Sequence, residues 1–390
     1  MATSVTSDAE VLERTRAIVP LLRENAQRAE RERRIPFENV QALLDAGVLR
    51  MTTPRIFGGY ESSCELQCRV LAEVARGCPS TGWVATIYMA MIWNVALFPD
   101  EAQDEVFATE DLRVASVFAP GGVAKPADGG VMVSGRWPFN TGCDHAQWAI
   151  MTALRELPGG GMEPISVLIP YAELTILDDW HATGLAGTGS HTTVGEDVFV
   201  PAHRILPGAA LATGEYLSQR LRDVPLYRTP GVPYLVANAG GAPVGIAQGA
   251  LDAFRERLPG RRITYTDYES QAAAPVTHIE LARAAMLADT AEDHMLRAAR
   301  LLDEGLTSPL DLEQRARIRA HVGFATDAAR EATSILFRSS GASAIQEDVP
   351  IQRYHRDIEA LANHALMAPL TNLELYGRIL CGLEPNTPFV

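Results

Sequence analysis

Lysine is almost missing from this sequence. Lys125 stands alone among 34 basic residues, the others being Arg, and no basic block offsets a formal net charge of −14. Nucleic acid is therefore not expected as a partner. Cysteine is scarce as well. Cys64, Cys68, Cys78, Cys143 and Cys381 are odd in number and contain no paired CxxC, so reduced thiols are expected and a disulfide framework is not. Cys64-x-x-x-Cys68 places two thiols on one helical face, but no second pair completes a metal site, and no His/Asp/Glu cluster has metal-ligand spacing. There is no apolar run of about twenty residues, and the N-terminus passes straight into charged residues without an apolar signal core. A soluble, cytoplasmic protein without a membrane span is the expectation. No GxGxxG follows a strand and opens a helix; Gly121-Gly122, Gly129-Gly130 and Gly159-Gly160-Gly161 read as loop tips.

What is present is an ordinary globular composition, 47% apolar and 21% charged, over 390 residues, a length that suits two or three domains. The periodicity divides the chain into residues 1–112, 113–225 and 226–390. The first part reads as helices. Residues 9–34 are amphipathic, with Pro20 as a kink or break. Pro36 opens a second helix that Gly47 ends. Residues 63–76 form a third, and Ser80-Thr81 can cap a fourth over 82–98 that is apolar nearly all round, hence buried on all sides. Near residue 113 the pattern changes to short β-like runs at 113–120, 130–134, 146–153, 165–169, 174–178 and 192–200. From about residue 236 it is helical again: 241–257, 276–304, 309–338 and 350–381, long helices with short connections that suit an antiparallel bundle.

One stretch in the β region is unusual. A strand over 130–134 breaks into the turn Pro138-Phe139-Asn140-Thr141-Gly142 and resumes at Ala146. A polar turn between strands can aim backbone N–H groups and a hydroxyl at a ligand. Trp137, Phe139 and Trp148 beside it suit either a flat ring or the core of a sandwich.

Helices, a small β-barrel or sandwich, then a four-helix bundle is the α+β layout of the acyl-CoA dehydrogenase fold. The run from Trp180 through Gly184, Thr188 and Ser190 into Val198-Phe199-Val200-Pro201 resembles that family's Trp…Gly…Thr/Ser run and strand end. Gln352-Arg353-Tyr354-His355-Arg356-Asp357 resembles its Q-R-x-x-R-D helix start. Within the fold, Trp137-x-Phe139-x-Thr141-Gly142 is similar to the W-x-F-x-S-G of oxygenase components of two-component flavin-dependent monooxygenases. So are Gly82-Trp83-Val84, and Arg356-Asp357 followed by His364 and Tyr376-Gly377-Arg378.

That resemblance implies reduced flavin, FMNH2 or FADH2, delivered by a separate flavin reductase. It reacts with O2 to a C4a-hydroperoxide that oxygenates a small molecule. Phe139, Thr141, Gly142 and the turn's N–H groups would contact the isoalloxazine. Trp83 would pack near it, and Thr188 and Ser190 would bond the ring or ribityl chain. Ser339, Ser340 and Gly341 match the loop that serves a neighbouring subunit's flavin, which with the apolar helices from 276 onward implies a homotetramer. His364 is the catalytic candidate, either hydrogen-bonding the hydroperoxide or deprotonating substrate.

Two departures bear on the substrate. The family's phenol hydroxylases often carry a His where this chain has Met91, and a Ser in the first strand where Val117 is the matching position. With Met91, Val117 and Phe118 on the substrate side, a bulky, aromatic or polyketide-type molecule is expected over a simple phenol. Two alternatives stand beside this reading. An acyl-CoA dehydrogenase or oxidase needs a carboxylate base, and the position about eight residues after Arg356-Asp357 is Ala365. A flavin-free binding protein of the same fold needs none of this chemistry.

Overall fold

A computed structural model describes residues 8–157 and 159–390. Five helices come first: α1 (Asp8–Glu32), α2 (Phe37–Asp45), α3 (Cys64–Gly77), α4 (Pro79–Val95) and α5 (Asp100–Phe107). Pro20 does not divide α1; it sits on the exposed face of an unbroken helix. The Ser63 hydroxyl caps α3 by accepting from the Leu66 N–H at 3.3 Å. In α4 every described side chain is buried except Ile87, as a helix apolar on all faces requires.

Seven strands follow: β1 (Val114–Ala127), β2 (Gly130–Trp137), β3 (Trp148–Glu156), β4 (Met162–Pro170), β5 (Thr175–Leu177), β6 (Thr192–Pro201) and β7 (Ile205–Pro207). The expected barrel or sandwich is a single hydrogen-bonded sheet, ordered β5-β6-β2-β1-β3-β4-β7, with β1 and β3 parallel and the other neighbours antiparallel. A register shift in β1 between Val117 and Gly122 bends the sheet. Its inner face buries a core of its own that includes Val117, Val131, Trp137, Met151 and Ile165.

After the short α6 (Ala210–Thr213), the helical part holds α7 (Gly231–Ala239), α8 (Gly241–Arg257), α9 (Pro275–Glu304), α10 (Leu312–Ser339), α11 (Pro350–Ala362) and α12 (Pro369–Leu380). A capping box of Asp311 and Gln314 starts α10. The expected last helix over 350–381 is two helices. Pro369 has no N–H to continue the ladder and holds Ala368 extended at ψ 117°, so the chain turns over 363–368. His364 stands in that turn.

The helical layers share one core that runs from α1 to α11, and Leu375 of α12 packs in a smaller cluster with Ala316. Where α8 crosses α3, Gly245 lets the backbones touch: a Cβ there would lie 2.0 Å from the Ala72 carbonyl oxygen. Gly245→Ala must push the helices apart and is expected to destabilise the protein by about 3 kcal/mol or prevent folding. Thermal unfolding measures this, and a melting temperature equal to that of the parent would show that the crossing is looser. None of the described helices is long and apolar enough to cross a membrane.

Candidate active site

The turn after β2 is pinned from several sides. Trp137 ends the strand inside the sheet core, fully buried, with its indole N–H donating to the Thr152 carbonyl at 2.8 Å. Asn140 donates its side-chain amide to the Tyr171 hydroxyl and to Thr193 Oγ1, at 2.7 and 2.9 Å. Gly142 takes φ 74° against Tyr88 of α4, whose hydroxyl donates to the Gly142 carbonyl at 2.6 Å; a Cβ there would meet the Tyr88 ring at 2.9 Å. Held this way, Phe139 adopts the left-handed φ of 62° and leaves its ring 71% exposed. An outlying φ on an exposed aromatic, backed by this many fixed contacts, is strain of the kind that functional sites carry.

Phe139 has one aromatic partner, Trp180, edge-on at 5.7 Å. Trp180 belongs to a segment anchored by His191, whose Nδ1 accepts from the Asp179 and Trp180 N–H groups at 3.3 Å. His191 therefore carries its proton on Nε2, which faces Asp144 at 3.7 Å. Between Phe139 and Trp180 opens a cleft of about 320 Å³, lined also by Pro138, His181, Ser190 and Thr192. Under its floor lies a relay of hydroxyls: Thr141 to Ser190 at 2.8 Å, Ser190 to Thr188 at 2.8 Å, and Thr188 donating to the Leu185 carbonyl at 2.8 Å.

The loop 184–190 joins this cleft to the helices. Gly184 backs onto Arg356 and Ala360 of α11. Asp357 of α11 accepts from the Leu185 N–H at 2.5 Å. The turn 186–188 packs on α4 and α1. Along α4, Trp83 meets His364 edge-on at 5.0 Å. The imidazole is open to solvent yet surrounded by protein, and this desolvation lowers its pKa to about 4. Its Nδ1 accepts from the Leu366 N–H at 3.3 Å, which leaves the proton on Nε2. His364 can therefore donate a hydrogen bond from a neutral ring.

The structure corrects several expectations. The N–H groups of Asn140, Thr141 and Gly142 donate to His191, Phe139 and Thr188 carbonyls, so they are spent inside the protein. Trp137 is core and Trp148 is bound to Thr109, so the ring beside Phe139 is Trp180. Trp180 opens the Trp180-to-Ser190 run, and that motif is the signal that places it in the site. Val117 points into the sheet core. Residues alternate along a strand, so Val114, Ser116 and Phe118 take the other side, where Val114 and Phe118 join the helical core. Ser116, not Val117, is the polar first-strand position facing the helices, and its hydroxyl is buried with no partner among the described residues. Met91 is buried on α4 as expected, and Phe118 is half-buried. In the turn after α10, Ser340 is buried and its hydroxyl donates to the Leu336 carbonyl, while Ser339 and Gly341 remain at the surface of the turn.

The sheet's cleft and the hydroxyl relay beneath it, joined through the loop 184–190 to α4 and α11, are the candidate site, with the Trp83–His364 pair on the helical side. Comparison with known proteins agrees. Residues 11–110 match the acyl-CoA dehydrogenase N-terminal domain and 237–369 its C-terminal domain. The chain is 36% identical to the flavin-dependent monooxygenase oxygenase subunit HsaA of Rhodococcus jostii, over 94% of this chain and 97% of the relative. It is 32% identical to the oxygenase component of an FADH2-dependent resorcinol hydroxylase of Rhizobium sp., over 96% and 94%. The structure of XiaF from Streptomyces sp., in complex with FADH2 and glycerol, superposes with a TM-score of 0.91 at 33% identity, covering 98% and 97% of the two chains. The chain belongs to the acyl-CoA dehydrogenase-fold family of flavin-dependent monooxygenase oxygenase components, and is an oxidoreductase.

Proposed function

We propose that this chain is the oxygenase half of a two-component system. A separate reductase supplies reduced flavin, and one atom of O2 is inserted into a bulky aromatic or polyketide-type small molecule. The other oxygen atom leaves as water. Bound reduced flavin supplies both electrons and the atom at which O2 reacts. The observation that carries this reading is the pairing of an exposed, strained Phe139 against Trp180 with the Thr141–Ser190–Thr188 hydroxyls beneath. Apolar faces and aligned hydroxyls fit a flat ring with a polar edge, so the residues present suit a flavin.

In this arrangement Phe139, Trp180 and Trp83 bound the ring. Thr141, Ser190 and Thr188 bond its polar edge or the ribityl chain, and Gly142 keeps the turn close to α4. Met91 and Phe118 give the substrate side its apolar walls, while His364 donates from Nε2 toward the reacting oxygen. Around the buried walls water is excluded, which protects a reactive intermediate from side reactions. The acyl-CoA dehydrogenase reading finds no carboxylate anywhere in the turn 363–368, where Ala365 is exposed beside His364.

The cofactor's anionic arm has a candidate site in a second copy of the chain. Arg257 and Arg261 flank the Ser339–Ser340–Gly341 turn and neither makes an ion pair among the described residues. Burial, and then Arg261 nearby, lower the Arg257 pKa against the opposing pull of Asp348. Exposed apolar side chains on α9 (Val276, Ile279, Met286) and α12 (Leu370, Leu380) supply surface for association into a homotetramer. The FADH2 named for the resorcinol hydroxylase and XiaF favours FADH2 here, since FMNH2 lacks the pyrophosphate that two arginines would hold.

Three readouts test the proposal together. Reduced flavin should bind under anaerobic conditions, FADH2 more tightly than FMNH2. Arg257→Ala with Arg261→Ala should weaken FADH2 by about ten-fold or more and FMNH2 far less. Isotope from ¹⁸O₂ should appear in a hydroxylated polycyclic aromatic when a flavin reductase is added. Absence of both reduced-flavin binding and label would refute the function; a monomeric mass by light scattering would refute the shared site.

A further inference from the structure

The α4 helix carries a buried amide that the protein itself does not use. Asn94 is fully buried, and neither its Nδ2 nor its Oδ1 has a hydrogen-bond partner among the described residues. A primary amide offers two donors and two acceptor lone pairs, and burying all of them unmet is costly. Other polar side chains of α4 have partners: Thr86 donates to the Gly82 carbonyl and Thr81 accepts from Asn39. Tyr88 and Trp93 reach the Gly142 and Leu226 carbonyls.

The place of Asn94 on the helix is informative. Trp83, Ile87, Met91 and Asn94 recur at spacings of four, four and three, so they form one stripe on α4. Trp83 opens that stripe against His364. Ile87, the half-buried residue of the helix, lies on this stripe, between the buried Trp83 and Met91. α4 also packs on β1, whose helix-facing Ser116 hydroxyl is likewise buried and unpartnered. Asn94 on α4 and Ser116 on β1 are unpartnered polar groups on elements in contact, with apolar Met91 on the first and Phe118 on the second; a substrate pocket between the two elements would be greasy along its length with a polar end.

Building on the flavin monooxygenase reading above, we propose that Asn94 is the residue that selects substrate at this pocket. It takes a fused-ring molecule with a hydrogen-bond donor and an acceptor side by side on one edge, as in a lactam or an enol beside a ring carbonyl. The amide pairs with such an edge in two-point fashion: Nδ2–H donates to the carbonyl oxygen, and Oδ1 accepts from the adjacent N–H or O–H. No cation lines the stripe, so the pocket favours the neutral form of that edge over a phenolate. Sites that pair a substrate's polar group discriminate strongly against analogues lacking it, because the protein group is then left unpaired.

The test uses full-length protein loaded with FADH2 without oxygen, and two bicyclic probes of nearly equal size, 2-quinolinone and naphthalene. Wild type should bind 2-quinolinone at least ten-fold more tightly than naphthalene. In Asn94→Leu that preference should vanish through loss of 2-quinolinone affinity, and the melting temperature should hold or rise, since an unmet buried amide has been removed. Asn94→Ser, smaller and still polar, should retain part of the preference and covers the case in which the Leu side chain is not accommodated. Equal preference in wild type and both variants would overturn the role of Asn94 and leave the flavin reading intact. Failure of wild type to bind FADH2 would instead overturn the flavin reading.

Discussion

His364→Ala is expected to lower coupled oxygenation by at least about a hundred-fold, with reduced-flavin affinity changing far less. The expectation rests on three features of one side chain. The imidazole stands against Trp83, in the turn that Pro369 forces between α11 and α12. Its Nδ1 is occupied by the Leu366 N–H, so the free nitrogen carries the proton. Desolvation by the surrounding protein lowers its pKa from 6.5 to about 4, so the ring is neutral at ordinary pH. A neutral Nε2–H is a donor and not a base. His364→Gln, which keeps a donor, should therefore recover part of the lost activity, and His364→Asp, which offers a base, should not. Full activity in His364→Ala, or better rescue by Asp than by Gln, would contradict this assignment.

The same geometry fixes the pH behaviour. The unfolded chain protonates this imidazole near its ordinary value and the folded chain resists until about pH 4, so the folded state binds fewer protons between the two. Its contribution to stability is whole above the unfolded pKa and declines as pH falls toward about 4. Activity that depends on His364 should accordingly be level from about pH 5 upward. An inflection near 6.5 that disappears in His364→Gln would show that the ring is hydrated.

Much of this site was legible in the sequence because it rests on chain-local patterns. The all-apolar run of α4, the Pro-Phe-Asn-Thr-Gly turn and the Thr188/Ser190 pair each announce themselves within a few residues. What was not legible depends on direction. Val117 and Ser116 differ by one position, and in a strand one position reverses the face; the register shift that follows Val117 falls at Pro120-Gly121-Gly122, which reads in the sequence as a loop tip and lies inside β1. The N–H groups of the turn looked free because their acceptors, His191 and Thr188, arrive from about fifty residues later, a tertiary pairing that local pattern does not encode. The split of α11 from α12 was within reach, since Pro369 stands in the middle of the apparent helix; hydrophobic spacing that continued across it hid the break. Asn94 was hidden for the opposite reason. In a helix buried on every side, nothing in the sequence separates a polar residue that finds a partner from one that does not.

Asp357 should hold its proton up to about neutral pH and keep the loop 184–190 in place. It is 2% exposed, and burial raises its pKa from 3.8 to about 7 against the opposing pull of the Leu185 N–H and Arg353. Its Oδ1 accepts from Leu185 N–H at 2.5 Å and its Oδ2 has no partner, so an ionised Asp357 leaves half its charge unanswered in the interior. Leu185 sits at φ 51°, a conformation that needs support, and its carbonyl in turn accepts from Thr188 at the base of the hydroxyl relay. Asp357→Ala removes that support. It is expected to cost about 2 kcal/mol of stability and to weaken reduced-flavin binding by about ten-fold. Asp357→Asn keeps a neutral acceptor for Leu185 and should preserve both. The sign of the pH effect separates the two states of the wild type. The folded protein holds the proton between 3.8 and about 7 and the unfolded chain does not. The stabilising contribution is thus full below the lower value and is lost as pH rises through the upper one. Wild type should therefore lose stability relative to Asp357→Asn, which has no proton to lose, as pH rises from about 4 to about 7. Parallel melting curves for the two proteins across that range, or an Asn variant as damaged as the Ala variant, would mean that the carboxylate is ionised and acts through Arg353 and Arg356 instead.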